Sequence, residues 1–308
     1  MTQANSSLLY RAVISLALSF FAISAVSPTA LAAEEQTSKR IISTDSGSTE
    51  LLVAFGLQDQ LIAIDVTSTQ PDADNPLPSV GYHRNLSAEG IMSMNPDLLV
   101  GSNHMGPDHV IRQLQQSPVQ LIQLPVAHTT QQLNHNIRHL AQQLNIPQQG
   151  EALIRRNNQK QQRLDAQSLA DERAVFLLNM DSKLRMAGSK TGGGALISLT
   201  GAHNLADYDN YRSISVEALV AMQPTLILVS TRDPNEGVER FLKSNPLLQH
   251  TPAGQSGKVY AVDGRSIVSG GLSVSALTEA QRLSDLIHDR SVAAHKDVPP
   301  ASVADTGE

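Results

Sequence analysis

From Arg40 onward, runs of aliphatic and β-branched residues alternate with stretches of helical composition almost to the end of the chain. Arg40–Thr44 and Leu61–Asp65 read as strands on either side of a helical stretch, Ser48 to Phe55. A helix over Leu86 to Met94, a strand at Leu98–Val100, a helix over His109 to Gln116 and a strand at Gln120–Leu124 follow. Such repetition predicts an α/β lobe built on a parallel sheet, closing near Leu144. Pro147 can open a helix at its first turn, and neither Gly nor Pro interrupts the chain from there to about Ala170 once Gly150 is passed. Arg155, Arg156, Lys160, Gln161, Gln162, Arg163 and Asp165 give this helix a largely solvated face. It reads either as a rigid connector between two lobes or as one more crossover helix, and periodicity does not separate the two. Strand-like runs return at Ala174–Leu178, Thr225–Val229 and Val259–Val262, and a helix over Val274 to His288 closes the pattern.

The two halves echo one another. Leu86-Ser87-Ala88-Glu89-Gly90-Ile91-Met92-Ser93-Met94-Asn95-Pro96-Asp97-Leu98-Leu99-Val100 resembles Ile214-Ser215-Val216-Glu217-Ala218-Leu219-Val220-Ala221-Met222-Gln223-Pro224-Thr225-Leu226-Ile227-Leu228. Each copy has a serine able to cap a helix, a glutamate two residues later, an apolar stripe, and Asn/Gln-Pro leading into a strand. Two lobes of matching design follow. Glu89 and Glu217 sit in first turns, where the helix dipole favours negative charge. That accounts for either one alone, whereas the same glutamate in both copies suggests a paired role.

The N-terminus changes the picture of where this fold works. A short polar stretch containing Arg11 precedes an apolar run from Ala12 to Val26, and Ala30-Leu31-Ala32 supplies a small-x-small cleavage pattern. A membrane anchor needs about 20 apolar residues with anchoring flanks, so residues 1–32 read as a signal peptide cut before Ala33. The chain has no cysteine, which removes disulfides, thiolate metal sites and lipidation on a cysteine. A soluble protein free in the periplasm of a Gram-negative cell is expected, without membrane insertion after cleavage. The expected layout is a first lobe over 33–145, a connecting helix over 146–170, a second lobe over 171–290 and a disordered tail over 291–308. A formal net charge of −6 gives nucleic-acid binding no electrostatic support.

Candidate chemistry centres on Val80-Gly81-Tyr82-His83-Arg84-Asn85-Leu86, a loop entering the Glu89 helix. Loops of this kind face the ligand crevice in α/β lobes. A phenol titrates near 10, so it binds metal well only when the ion or a positive neighbour stabilises the phenolate. Ferric haem iron does this, and tyrosine is an established axial ligand for it; Arg84 can stabilise the phenolate or pair with a haem propionate. The alternative is a half-buried aromatic whose hydroxyl bonds a loop carbonyl.

The run Gly81-Tyr82-His83-Arg84-Asn85-Leu86-Ser87-Ala88-Glu89-Gly90-Ile91, followed by Met94-Asn95-Pro96-Asp97, resembles the signature of haem-importer periplasmic binding proteins. The likeness runs on through Gly106-Pro107, Ala187-Gly188, Ser215–Leu219 and Gln223-Pro224, from Arg40 to about Asp289. The resemblance implies two α/β lobes with mainly parallel sheets joined by one long helix, the class III binding-protein fold, with limited hinge motion. It implies haem b as the transported ligand, Tyr82 as the iron ligand, and Glu89 and Glu217 as contacts for arginines of an inner-membrane ABC permease served by its ATPase. It implies a monomeric carrier and no catalysis. Some relatives add a histidine from the second lobe, near Phe176–Leu178; the loop expected here, Asn179-Met180-Asp181-Ser182-Lys183-Leu184, has none. Met180, His83, His104, Tyr211 and Arg212 remain as candidate haem contacts, the last two echoing Tyr82 and Arg84.

Rival ligands for the same architecture are cobalamin, a ferric siderophore or a bare Mn or Zn ion. A bare ion needs three or four converging His, Asp and Glu ligands, and neither of the other two gives Tyr82-x-Arg84 a purpose. The rival of another class is an exported α/β hydrolase, yet the chain has no Gly-x-Ser-x-Gly elbow and no His-Glu-x-x-His helix. Gly192-Gly193-Gly194 reads as a flexible loop before a helix.

Overall fold

Ile41 and Ile42, adjacent in sequence, are buried on opposite faces of one sheet, as the two-residue period of a strand requires. The computed structural model describes residues 38–180, 183–231, 234–264, 267 and 271–296; the leader expected over 1–32 and the last part of the tail, 297–308, lie outside the described residues. The first half comprises β1 (Ile41–Ser43), α1 (Ser46–Ala54), β2 (Leu61–Ile64), α2 (Ala88–Ser93), β3 (Leu98–Ser102), α3 (Asp108–Gln115), β4 (Gln120–Leu124) and α4 (Thr130–Gln143). The strands form a parallel sheet in the order β2-β1-β3-β4. Helices α2 and α3 cover one face through Ile91, Val110, Ile111 and Leu114, and α1 and α4 cover the other through Leu52, Leu133, Ile137 and Leu140.

Helix α5 (Pro147–Ala166) begins at Pro147 as expected and leads into the second sheet. That half contains β5 (Arg173–Met180), β6 (Lys183–Met186), α6 (Gly192–Leu199), β7 (His203–Asn204), β8 (Arg212–Ser213), α7 (Val216–Met222), β9 (Leu226–Thr231), α8 (Pro234–Ser244), α9 (Pro252–Gln255) and β10 (Val259–Asp263). The order β10-β9-β5-β6-β8, with β7 also on β5, is parallel except at β6. In place of a loop at Asn179–Leu184, the ends of β5 and β6 pair antiparallel, with Asn179 opposite Leu184 and Met180 opposite Lys183. Met180 ends β5, and its side chain lies outside the described residues.

The glycine run is a second departure. Gly192, Gly193 and Gly194 form the buried first turn of α6, capped by Thr191, whose hydroxyl accepts from Gly194 N–H. A Cβ at Gly193 would enter the Phe176 ring and one at Gly194 the Gly188 carbonyl. Packing density, not flexibility, demands these residues.

The closing helix, α10 (Val274–Lys296), outruns the expected end at His288 and takes in the first residues assigned to the tail. Although β10 precedes it, its N-terminus returns to the first half: Leu272 N–H donates to Ala127 O at 2.6 Å, and Ser275 donates through N–H and Oγ to Glu50 of α1 at 3.0 and 2.6 Å. Further along, Lys160 of α5 donates to Thr278, and Ser284 bonds the Gln167 carbonyl that follows α5. Thus α5 and α10 both join the sheets, and one apolar core runs from Leu98 and Val100 through Leu153 and Leu283 to Phe176 and Leu228. At about 1.5–3 kcal/mol per buried aliphatic side chain, separating the sheets is costly, which restricts hinge motion.

Burial pushes the Glu50 carboxyl above its ordinary range, against the opposing pull of Ser275 and Ser273, with Asp45 adding to the rise. The folded state then binds the Glu50 proton more tightly than the unfolded chain does, so this group's share of stability falls as pH rises from the ordinary glutamate value through the raised one. In melts from about pH 4 to about pH 8, wild type is expected to lose stability relative to Glu50→Gln with rising pH. A pH-independent difference between the two proteins refutes this.

The echo between the halves extends beyond the matching segments. Asn95 and Gln223 both adopt left-handed backbone (φ 47° and 50°) before their prolines. Arg40, just before β1, donates to the Met94 and Asn95 carbonyls at the end of α2, and Arg173, opening β5, donates to Met222 O at the end of α7. Asp97 and Thr225 N–H donate to the Arg40 and Arg173 carbonyls, while their side chains accept the Arg40 and Arg173 N–H groups. At the other end, Ser87 and Ser215 accept the N–H groups of Gly90 and Ala218, caps worth about 1 kcal/mol each.

Candidate functional site

The segment carrying Tyr82 is fastened at both ends. Ile64 N–H donates to Pro78 O, Val80 N–H to Ile64 O and Val66 N–H to Gly81 O, lengthening the sheet edge beyond β2. Gly81 then turns with φ 84°, in the left-handed region that favours glycine. Tyr82 O accepts from Asn85 N–H at 2.8 Å, closing a turn. Beyond it, Leu86 N–H donates to Gly106 O and Gly106 N–H to His83 O, clamping this turn onto the loop after β3.

Tyr82 is 46% exposed, and among the described residues nothing in the protein bonds its hydroxyl. The half-buried alternative with a carbonyl partner is therefore not what the turn presents. Arg84 is exposed and forms no ion pair among the described residues. His83 points inward instead: it is 3% exposed, and its Nδ1 lies 3.3 Å from Asp65 Oδ2.

His104 follows β3, with its N–H on Ser102 Oγ. Burial first, then the positive charge of Arg84 and His83, lowers its pKa and favours neutral imidazole, the form with a free lone pair. His128 follows β4 and is likewise held neutral, by burial and then by Lys190 of the second half. Its Nδ1 is buried and has no hydrogen-bond partner among the described residues. Lys190 in turn pairs with Asp209 at 2.8 Å. At the carboxyl ends of β1 and β3, where the chain entering α10 returns to the first half, lies a small crevice lined by Asp45, Ser102, Asn136 and Ser273. The helices after those two strands cover opposite faces of the sheet, so this is the switch point where α/β folds open a ligand crevice. Asp45 caps α1 through Ser48 N–H and also accepts from Ser102 N–H.

On the second half, Tyr211 packs against the core, its hydroxyl accepting from Gly193 N–H, and burial raises its pKa. Arg212 lies over the Tyr208 ring at 4.4 Å, within cation–π range. Glu89 and Glu217 are exposed on α2 and α7, and the Glu217 carboxyl is lowered by its own backbone N–H and by Ser215. Asp65, His128 and Tyr208 were not singled out by sequence; the only local signal was an aspartate ending a strand-like run. Among the described residues, no group of three His, Cys, Asp or Glu converges to hold a metal ion, and no helix is long and apolar enough to cross a membrane.

The sequence profile described as periplasmic binding protein matches residues 41–265. The chain belongs to this family. As a periplasmic binding protein it is a carrier rather than an enzyme, the component of an ABC importer that works with a membrane permease and ATPase. Among solved structures, it is similar to the periplasmic heme binding protein HutB of Vibrio cholerae, with 38% identity, a TM-score of 0.74, and 82% of this chain and 99% of that one covered. A periplasmic heme binding protein from Pseudomonas aeruginosa shares 32% identity at a TM-score of 0.69, over 86% of this chain and 95% of that one. The vitamin B12-binding protein of Yersinia pestis is 25% identical over 209 residues, 67% of this chain and 75% of its own length. The fold expected from sequence, α/β with mainly parallel sheets and a long helix between them, is that of class III members.

Proposed function

We propose that this binding protein captures haem b and delivers it to an inner-membrane ABC permease, with Tyr82 as the iron ligand. The observation that carries the reading is a half-exposed phenol, held on a clamped turn beside Arg84, whose hydroxyl, like the Arg84 cation, has no partner among the described residues. Ferric iron supplies what a phenol needs to ionise, and Arg84 favours the same phenolate or takes a propionate. His104 lies next to this turn as neutral imidazole. In this reading the two lobes are residues 33–145 and 171–290 joined by the helix of 146–170, the leader is cut before Ala33, and the carrier acts as a monomer in the periplasm. Glu89 and Glu217, presented identically on α2 and α7, meet arginines of the permease, one from each lobe. Two like charges suit a two-subunit partner.

The similarity to a vitamin B12-binding protein favours cobalamin as the second reading. Hemin and cyanocobalamin titrated separately into the mature protein tell the two apart. Stoichiometric hemin binding with a high-spin ferric phenolate-type spectrum, and cobalamin affinity at least about a hundredfold weaker, is the expected result. Tight cobalamin binding with only adventitious hemin uptake overturns the proposal.

A further inference from the structure

Consecutive side chains of an extended chain point to opposite sides, yet the rings of Tyr82 and His83 lie side by side, centroids 4.3 Å apart and planes at 49°. The turn closed by Tyr82 O and Asn85 N–H makes this possible. What stands behind the His83 ring is a fully buried carboxylate. Asp65 has no exposed side-chain surface and accepts from Thr67 Oγ1 at 2.7 Å, Ser68 N–H at 3.0 Å and Ser68 Oγ at 2.7 Å, besides facing His83 Nδ1 at 3.3 Å. A carboxylate only accepts, so Nδ1 carries the proton and the ring plane is set. The His83 carbonyl is tied separately to Gly106 N–H. His83 is thus held at backbone and ring, while the hydroxyl of Tyr82, which rests on it, has no partner among the described residues.

We infer that Asp65 and His83 act as positioning residues for Tyr82, holding the phenol ring in its ligating orientation before haem arrives. The inference rests on Tyr82 being the iron ligand. Outer partners that orient a ligand are the common means of tightening a metal site, and a ring ordered in advance loses less freedom on binding. Asp65 reaches the ligand only through His83, as a carboxylate behind a histidine does in metal sites.

Two substitutions separate the components. His83→Phe keeps a ring beside Tyr82 but loses the bond to Asp65; His83→Asn keeps a donor for Asp65 but loses the ring. Each is expected to speed haem dissociation about tenfold or more and to give a mixed spectrum in which part of the haem lacks the phenolate band, at unchanged stoichiometry. Wild-type dissociation rate and spectrum in both variants overturn the inference. Because a buried substitution can compromise folding, the apo wild type supplies an independent reading. With ring-labelled tyrosine, Tyr82 should give a signal shifted by the neighbouring imidazole, with restricted ring motion; a freely reorienting, unshifted ring overturns the inference. Tyr82→Phe run in parallel keeps the two ideas apart. If it retains the wild-type spectrum, the ligand assignment fails. If it loses the phenolate band while the His83 variants behave as wild type, only the positioning role fails.

Discussion

Tyr82→Phe is expected to remove the phenolate-type charge-transfer band of the hemin complex and to weaken hemin binding by about a hundredfold or more. The substitution deletes one oxygen and leaves the ring. Since Tyr82 is 46% exposed and its hydroxyl has no partner among the described residues, the fold loses no hydrogen bond, and the melting temperature should stay within the small range usual for surface changes. A change confined to binding then reports the iron bond itself. Loss of an outer partner already costs about ten- to a hundredfold at metal sites, so loss of the ligand should exceed that. Residual hemin affinity from apolar contact with the porphyrin faces is expected, with the spectrum of haem lacking a protein oxygen. An unchanged spectrum with unchanged affinity would falsify the assignment.

The second large effect concerns transport rather than capture. In Glu89→Ala combined with Glu217→Ala, hemin affinity and spectrum should match wild type, whereas permease-dependent uptake should fall by at least about a hundredfold. Both carboxylates are exposed on short helices whose ends are fixed by the same set of bonds: a serine cap, an arginine on the last carbonyls and a left-handed residue before proline. Helices fastened so tightly present their glutamates as rigid points. Truncating one partner of a docked charge pair weakens association, and two independent contacts on opposite lobes should add. Each single variant is therefore expected to retain intermediate uptake. Impaired hemin binding in the double variant, or uptake at the wild-type rate, would show that these residues do something else.

The features legible from sequence are those whose causes are local. Gln120–Leu124 is a strand over its expected span, and Pro147 opens its helix, because side-chain period and proline geometry act within a few residues. The echo around Glu89 and Glu217 was visible for the same reason: the caps and the residues before proline are short-range devices. Tyr82 and Arg84 stood out because both lie in one loop that enters a helix. The pairing of β6 with the end of β5 was not legible at Asn179–Leu184, because it depends on the partner strand rather than on a local pattern.

Several decisions belong to the tertiary structure alone. The glycine run follows from Phe176, Gly188 and Ile267 arriving from distant parts of the chain. Helix α10 returns to the first half because Glu50, more than 200 residues earlier, meets Ser275. His83, a candidate haem contact beside Tyr82, is buried against Asp65 while Tyr82 stays outside. By itself the sequence determined the alternation of elements, the paired glutamate helices and the tyrosine turn, all set by neighbours along the chain. Which ring faces solvent, and which helix ties the sheets together, was decided only when remote segments met, because burial and hydrogen-bond partners are set by contacts in space.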